Sequence, residues 1–220
     1  MNGAKLSKTC SEKYLGVNIM HNLSWKKHIE IVKANCYQKL GIIQRNFRKC
    51  NQNVREKLFK QLVLPKIDYC SNVWFPQTPG LMKVTERIQR KAAGIVTGKR
   101  VEDYAQVCSN LKWLPLHVRS ECQGVSFIYR IINSLADVGF SRYFSPKMGR
   151  PLRQKNCMQI ERKCARTVMC QNSYFYRVVN EWNILPNDIV FSRSYDCFKL
   201  SLANYMHGLK DKYCHICCAI

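Results

Sequence analysis

From Trp25 onward, apolar side chains return at intervals of four and three: Trp25, Ile29, Val32, Cys36, Leu40, Ile43 and Phe47. That alternation matches the 3.6-residue helical repeat and rules out a strand, where apolar residues would recur every second position. It dictates a helix of about six or seven turns with one narrow apolar stripe, and Ser24 stands where an N-cap belongs. At 100° per residue, Lys26, Lys27, Arg45, Arg48 and Lys49 project away from the stripe. Lys33 and Lys39 flank it, and Glu30 is the only acid on the helix. Such a helix must bury one side against protein and present almost pure positive charge on the other.

The neighbours of this helix read in the same terms. Before it, Tyr14–Met20 alternates well enough for a strand, and His21-Asn22 makes a turn. After it, a second helix is expected from near Asn53, with Val54, Leu58, Phe59, Leu62 and Val63 inward. Pro65 is expected to kink that helix, because the apolar pattern resumes at Ile67, Tyr69 and Trp74. A third helix is expected over Leu81–Val96 through Leu81, Val84, Ile88, Ala92 and Ile95, stopped by Gly98 and carrying Lys83, Arg87, Arg90 and Lys91 outward. Beyond residue 100 come a short helix, the Trp113–Leu116 break, a strongly apolar helix over Val118–Leu135, a loop over Phe140–Asn156, and helices over Tyr174–Trp182 and Ser194–Tyr205. The expected fold is mainly α: a short strand in residues 1–22, a small basic helical bundle in 23–100, a second mostly helical region in 101–206, and a Cys-rich tail in 207–220.

Charge bounds the partner. The 220 residues hold 36 Lys plus Arg and 14 Asp plus Glu, a net +22. Residues 1–100 carry 20 basic and 5 acidic side chains, so +15 of the total lies in the first half. A solvated face that served only solubility would mix signs, so an anionic ligand along the first half is implied, nucleic acid before an acidic membrane surface. No apolar run reaches membrane-spanning length, and no membrane association is expected. Thirteen cysteines form no regular framework and the first twenty residues hold no signal-peptide core, which points to reduced thiols in the nucleus or cytoplasm. Trp25, Tyr37, Phe47 and Trp74 lie among the basic residues and could stack on bases, although their spacing is that of core residues.

Bond-making chemistry is thinly represented. Gly94–Arg100 has a faint P-loop outline but is one residue short and lacks the hydroxyl that binds magnesium; a glycine helix stop explains it better. No two of the six aspartates are adjacent or two apart, and Asp68, Asp103 and Asp188 read as helix flanks or turns, so a two-metal carboxylate site is not expected. Cys214-His215-Ile216-Cys217-Cys218 contains one C-x-x-C, which His207 or a distant thiol would have to complete for zinc. Cys217–Ile220 has the outline of a prenylation box with cysteine in an aliphatic position. A tail without a chemical role, and no cofactor or metal, is the expectation.

One succession of short motifs is more specific. Lys13–Val17 followed by Asn22–Trp25 and His28-Ile29 resembles the segment just after the palm of non-LTR (LINE-type, jockey-like) retrotransposon reverse transcriptases. Leu62–Pro65, Ile67–Tyr69, Val73-Trp74 and Val84–Ala92 are similar to the thumb region that follows. Leu114–Leu116 with Arg119, Tyr129–Asn133, Tyr174–Arg177, Trp182–Pro186 and Phe198–Leu200 are similar to its C-terminal region, in the family's order. The resemblance spans roughly residues 13–205. It implies a palm-edge strand remnant in 1–22, with Tyr14, Leu15 and Gly16 near the primer grip, and a thumb-like bundle in 23–100. Lys26, Lys27 and the outer face of the first helix would meet the template–primer duplex. The family's palm, with its aromatic-x-Asp-Asp metal site, has no counterpart in these residues. The expected role is therefore to grip RNA or DNA, with a palm-containing polypeptide as a further candidate partner, without polymerising by itself. A domesticated protein-interaction module that merely inherits the charge is the alternative, and an enzyme with a composite acidic or thiol site is a third.

Overall fold

The computed structural model describes residues 8–147 and 157–209. The protein is mainly helical and divides into two compact units, Met1–Glu102 and Asp103–Ile220.

In the first unit, the single strand expected over Tyr14–Met20 is instead a hairpin. β1 (Ser11–Tyr14) pairs antiparallel with β2 (Val17–Met20), Tyr14 opposite Val17. Leu15 and Gly16 form the two-residue turn with φ of +45° and +84°. Two left-handed residues give a turn whose twist matches that of the strands, and Leu15 carries the strain that Gly16 does not. Val17–Met20 thus has a pairing partner a few residues upstream. The hairpin is also tied down: the Tyr69 hydroxyl donates to the Leu15 carbonyl at 2.7 Å, and the Tyr69 ring lies 3.4 Å from where a Gly16 Cβ would stand. His28 secures the other strand, its Nδ1 accepting the Asn18 N–H at 3.3 Å while its ring meets the Trp74 indole edge-on at 5.0 Å. An accepting Nδ1 requires neutral imidazole, and burial accordingly lowers the His28 pKa. Tyr69→Phe is expected to remove one exposed hydrogen bond, about 1 kcal/mol. Amide exchange across Val17–Met20 should then speed up roughly fivefold; unchanged rates would show that the latch does not hold the hairpin.

α1 (Lys26–Asn46) buries Ile29, Val32, Cys36, Leu40 and Ile43, five members of the expected stripe, together with His28. Its N-cap residue is Trp25, not Ser24; the Ser24 hydroxyl accepts from Lys26 N–H one residue off register, at 3.4 Å. α2 (Gln52–Leu58) opens with Asn51 as cap, its side chain accepting the Val54 N–H at 2.9 Å. It continues through a π-helical turn, Phe59–Val63, into α3 (Leu64–Asp68). The wider turn, closed by Leu64 N–H on the Phe59 carbonyl, accommodates Pro65, which has no N–H to offer and would crowd the Gln61 carbonyl in an ordinary α-helix. That insertion also rotates the buried side onto Phe59, Val63 and Ile67, leaving Val54, Leu62 and Tyr69 on the surface where the sequence had put them inside.

α4 (Ser71–Trp74) follows a left-handed Cys70 and buries Trp74 completely, its indole N–H donating to the Tyr69 carbonyl at 2.7 Å. α5 (Pro79–Thr97) packs along α1. Its buried side holds Met82, Ile88, Ala92, Ala93 and Val96 but also Thr85, Glu86 and Gln89, so it is turned from the expected stripe, and Leu81, Val84 and Ile95 are only half-buried. Gly98, at φ +73°, ends it by donating its N–H to the Gly94 carbonyl at 2.9 Å.

The second unit contains α6 (Tyr104–Asn110), α7 (Leu116–Ile132), α8 (Phe140–Tyr143), α9 (Val168–Gln171), α10 (Tyr174–Asn183), α11 (Asn187–Val190) and α12 (Tyr195–Gly208). Asp103 caps α6 by accepting the Gln106 N–H at 3.1 Å, and Ser194 caps α12 by accepting from Cys197 at 3.2 Å. α7 stops before Leu135, which is exposed. Its core joins Val125, Ile128 and Tyr129 of α7 to Val178 and Trp182 of α10 and to Phe198 and Leu202 of α12. Polar tips inside this core find backbone partners: Tyr129 donates to Ser192 O, Tyr174 to Gly124 O and Trp182 to Met158 O, at 2.7–2.9 Å. Asn183 grips both the N–H and the carbonyl of Ile160, doing for that segment what a neighbouring strand would. Of the loop expected over Phe140–Asn156, the described part contains α8 and a bridge between Pro146 and Ile160. The cysteine pattern Cys214–Cys218 and the end of the chain lie outside the described residues, while His207 sits in α12.

Candidate nucleic-acid interface

Cationic residues of the first unit converge at one end of the α1–α5 pair. Tyr37 of α1 lies against Lys91 of α5, and Gln44 to Arg48 face Gly94 to Lys99, so the two helices run in the same direction. Their C-terminal ends border a groove of about 770 Å³ lined by Gln44, Arg45, Arg48, Arg55, Lys91, Gly94, Ile95, Gly98 and Lys99. Five of those nine side chains are cationic and none is acidic. The concentration has a local cause, since helix C-termini present partial negative charge and accommodate Lys and Arg. The Arg55 guanidinium rests against the end of α5, its Nη1 at ordinary contact distance, 3.4 Å, from where a Gly98 Cβ would stand.

Acids near the groove are already engaged. Glu56, next to Arg55 in the chain, is bridged to Lys60 at 2.6 Å. Next to the groove, Tyr37 is ringed by cations, with Nζ of Lys91 and Lys33 at 4.8 and 5.7 Å from its ring centroid. Burial raises the Tyr37 pKa and the nearby Arg87 opposes the rise, so the phenol remains neutral and can donate a hydrogen bond to an anion. Cation–π contacts hold these lysines extended without neutralising them.

The structure therefore brings together Lys33, Arg45, Arg48, Arg87 and Lys91 of the expected residues and adds Arg55 and Lys99, which sequence reasoning missed. Arg55 reaches the groove only through the fold of α2 against α5. Other expected residues are elsewhere. Lys26 and Lys27 lie at the opposite end of α1, about 28 Å away by helix rise, and Lys27 donates to the Ser11 hydroxyl at 2.6 Å. Lys49 is exposed just beyond α1 and does not line the groove, and Lys83 is half-buried early in α5. Arg90 is spent on structure, donating to the carbonyls of Val101 and Glu102 at 2.9 and 3.2 Å. Tyr14, Leu15 and Gly16 form the hairpin tip, with Tyr14 and Leu15 strongly exposed.

Of the four aromatics considered for stacking, Trp74 is removed by complete burial, Trp25 and Phe47 are half-buried, and Tyr37 alone is ringed by the clustered cations. Cys36, pushed up to about 12 by burial, is a core thiol, not a nucleophile. Among the described residues no three of His, Cys, Asp and Glu converge in a way that could hold a metal ion, and no helix is long and apolar enough to cross a membrane. No family model matches the chain, and no curated protein or solved structure matches it either. The functional reading rests on the chemistry of these side chains.

Proposed function

We propose that this protein binds nucleic acid through the groove between the C-terminal ends of α1 and α5, gripping phosphates with little regard to sequence. One observation carries the reading: five cations, from α1, α2, α5 and the residues just past α1 and α5, line a single groove whose lining holds no carboxylate. Lys and Arg meet phosphate through charge and, for Arg, through paired N–H donors. They read backbone, not base, so affinity without specificity follows. The likeness of the sequence to the post-palm region of retrotransposon polymerases points to the same ligand class.

A salt titration tests it. Occupying five phosphates releases their counterions, so log K against log salt should fall with a slope of about −4.5 on duplex. Between 50 and 200 mM salt the affinity should drop by roughly 500-fold, similarly for unrelated sequences. Absence of polynucleotide binding at 50 mM salt would sink the proposal and leave the charge as inheritance without a role.

A further inference from the structure

The second unit contains a cavity that the groove reading leaves unused. It measures about 430 Å³, within the range of small-ligand sites. Its floor is aromatic. Tyr143 and Phe175 lie face to face with centroids 4.5 Å apart and planes 3° from parallel, and Tyr176 completes the wall. Its lining includes Arg162 and Lys163, both exposed and neither ion-paired among the described residues, and also Asn180. Phe175 keeps about a third of its surface exposed, whereas Trp182 and Phe198 of the same unit are fully buried. From this combination we infer that the cavity takes one nucleoside phosphate, its base against Phe175 and Tyr176 and its phosphate on Arg162 and Lys163.

Each part of the ligand finds a complement. A flat, weakly hydrated ring gains from an aromatic wall whatever its identity, because every base has a π face. The phosphate needs donors that are not already neutralised, and Arg162 with Lys163 supplies them. Asn180 can donate to and accept from a base edge, which gives modest selectivity. Glu161 also lines the cavity, so a caged ammonium ligand is the competing chemistry. The two cations that follow it in sequence outweigh its single charge and disfavour that occupant. The nucleoside phosphate can arrive free or as an unstacked nucleotide of a single strand.

The experiment uses the whole chain with Arg45→Gln, Arg48→Gln and Lys91→Gln, so that the groove contributes little and the two proposals stand or fall separately. The probes are 2-aminopurine nucleoside monophosphate and a ten-nucleotide single strand carrying one 2-aminopurine. Saturable quenching of the fluorescence is expected. Equal affinity for the two probes would identify a free-nucleotide site, and tighter binding of the strand a single-strand site; either supports the pocket. Phe175→Leu, which keeps an apolar side chain and removes the π face, should weaken binding about tenfold and suppress quenching. Arg162→Gln with Lys163→Gln, both at exposed positions, should weaken binding and flatten its salt dependence without affecting the fold. No quenching by the parent, or unchanged binding in both sets of variants, would overturn the assignment whatever the groove does.

Discussion

Replacing Arg45, Arg48 and Lys91 by glutamine is expected to weaken duplex binding by roughly 500-fold at 0.1 M salt, each lost phosphate contact contributing somewhat under tenfold through counterion release. The slope of log K against log salt should become shallower by about 2.7. Both effects should be nearly the same for every sequence tried, because none of these side chains is placed to read a base edge by necessity. The control is Lys26→Gln with Lys27→Gln. If the whole outer face of α1 met the duplex, this pair would cost nearly as much as two groove residues. Because they lie at the far end of α1, and Lys27 is engaged with Ser11, their loss should cost less than threefold. All five positions are exposed except at their edges, so folding should be unaffected and circular dichroism unchanged. Equal losses from the two sets of variants would mean that binding follows total charge and not the groove.

That contrast marks how far the sequence could be read. The stripe of α1 was legible because 21 helical residues repeat one pattern without interruption. α5 was placed correctly, with Gly98 as its stop, but its buried side was misjudged: Thr85, Glu86 and Gln89 face inward, and polar residues carry no periodic signal for burial. The π turn at Phe59–Val63 moved the inward side of the second helix, which no 3.6-residue template anticipates. The hairpin was hidden because Leu15 adopts a left-handed backbone that sequence rules reserve for Gly, Asn or Asp. For the groove, helical projection found which cations point outward but not which meet. Arg55 enters by tertiary packing, and Arg90, indistinguishable from Arg87 in sequence, turns to two backbone carbonyls.

In the second unit, Glu181→Gln is expected to stabilise the protein at alkaline pH and to flatten its pH dependence. Arg177 and Glu181 stand one turn apart on α10, His117 and Glu121 one turn apart on α7, and the two helices pack together. Two carboxyls thus share the neighbourhood of one permanent cation. Burial, reinforced by the charge of Glu121 and opposed by Arg177, raises the Glu181 pKa from 4.5 to about 8. Glu121 is raised by burial too, with His117 and Arg177 opposing. A carboxyl whose pKa rises on folding holds its proton in the native state after the unfolded chain has released it. Its contribution is fully present below pH 4.5, declines as pH rises toward 8, and is lost above that. Glutamine keeps the shape and neutrality of the protonated acid without titrating. At 1.36 kcal/mol per pKa unit, and allowing for relaxation and water entry around the charge, the gain at pH 9 should be roughly 2 kcal/mol or more. Urea unfolding read by amide-exchange labelling of α7 and α10, at pH 6 and pH 9, decides the matter. The difference between parent and variant at pH 6 should be less than half that at pH 9, because only part of the interval from 4.5 to 8 has been crossed there. An equal difference at both values would mean that Glu181 is already charged in the folded protein and that Arg177 outweighs its burial.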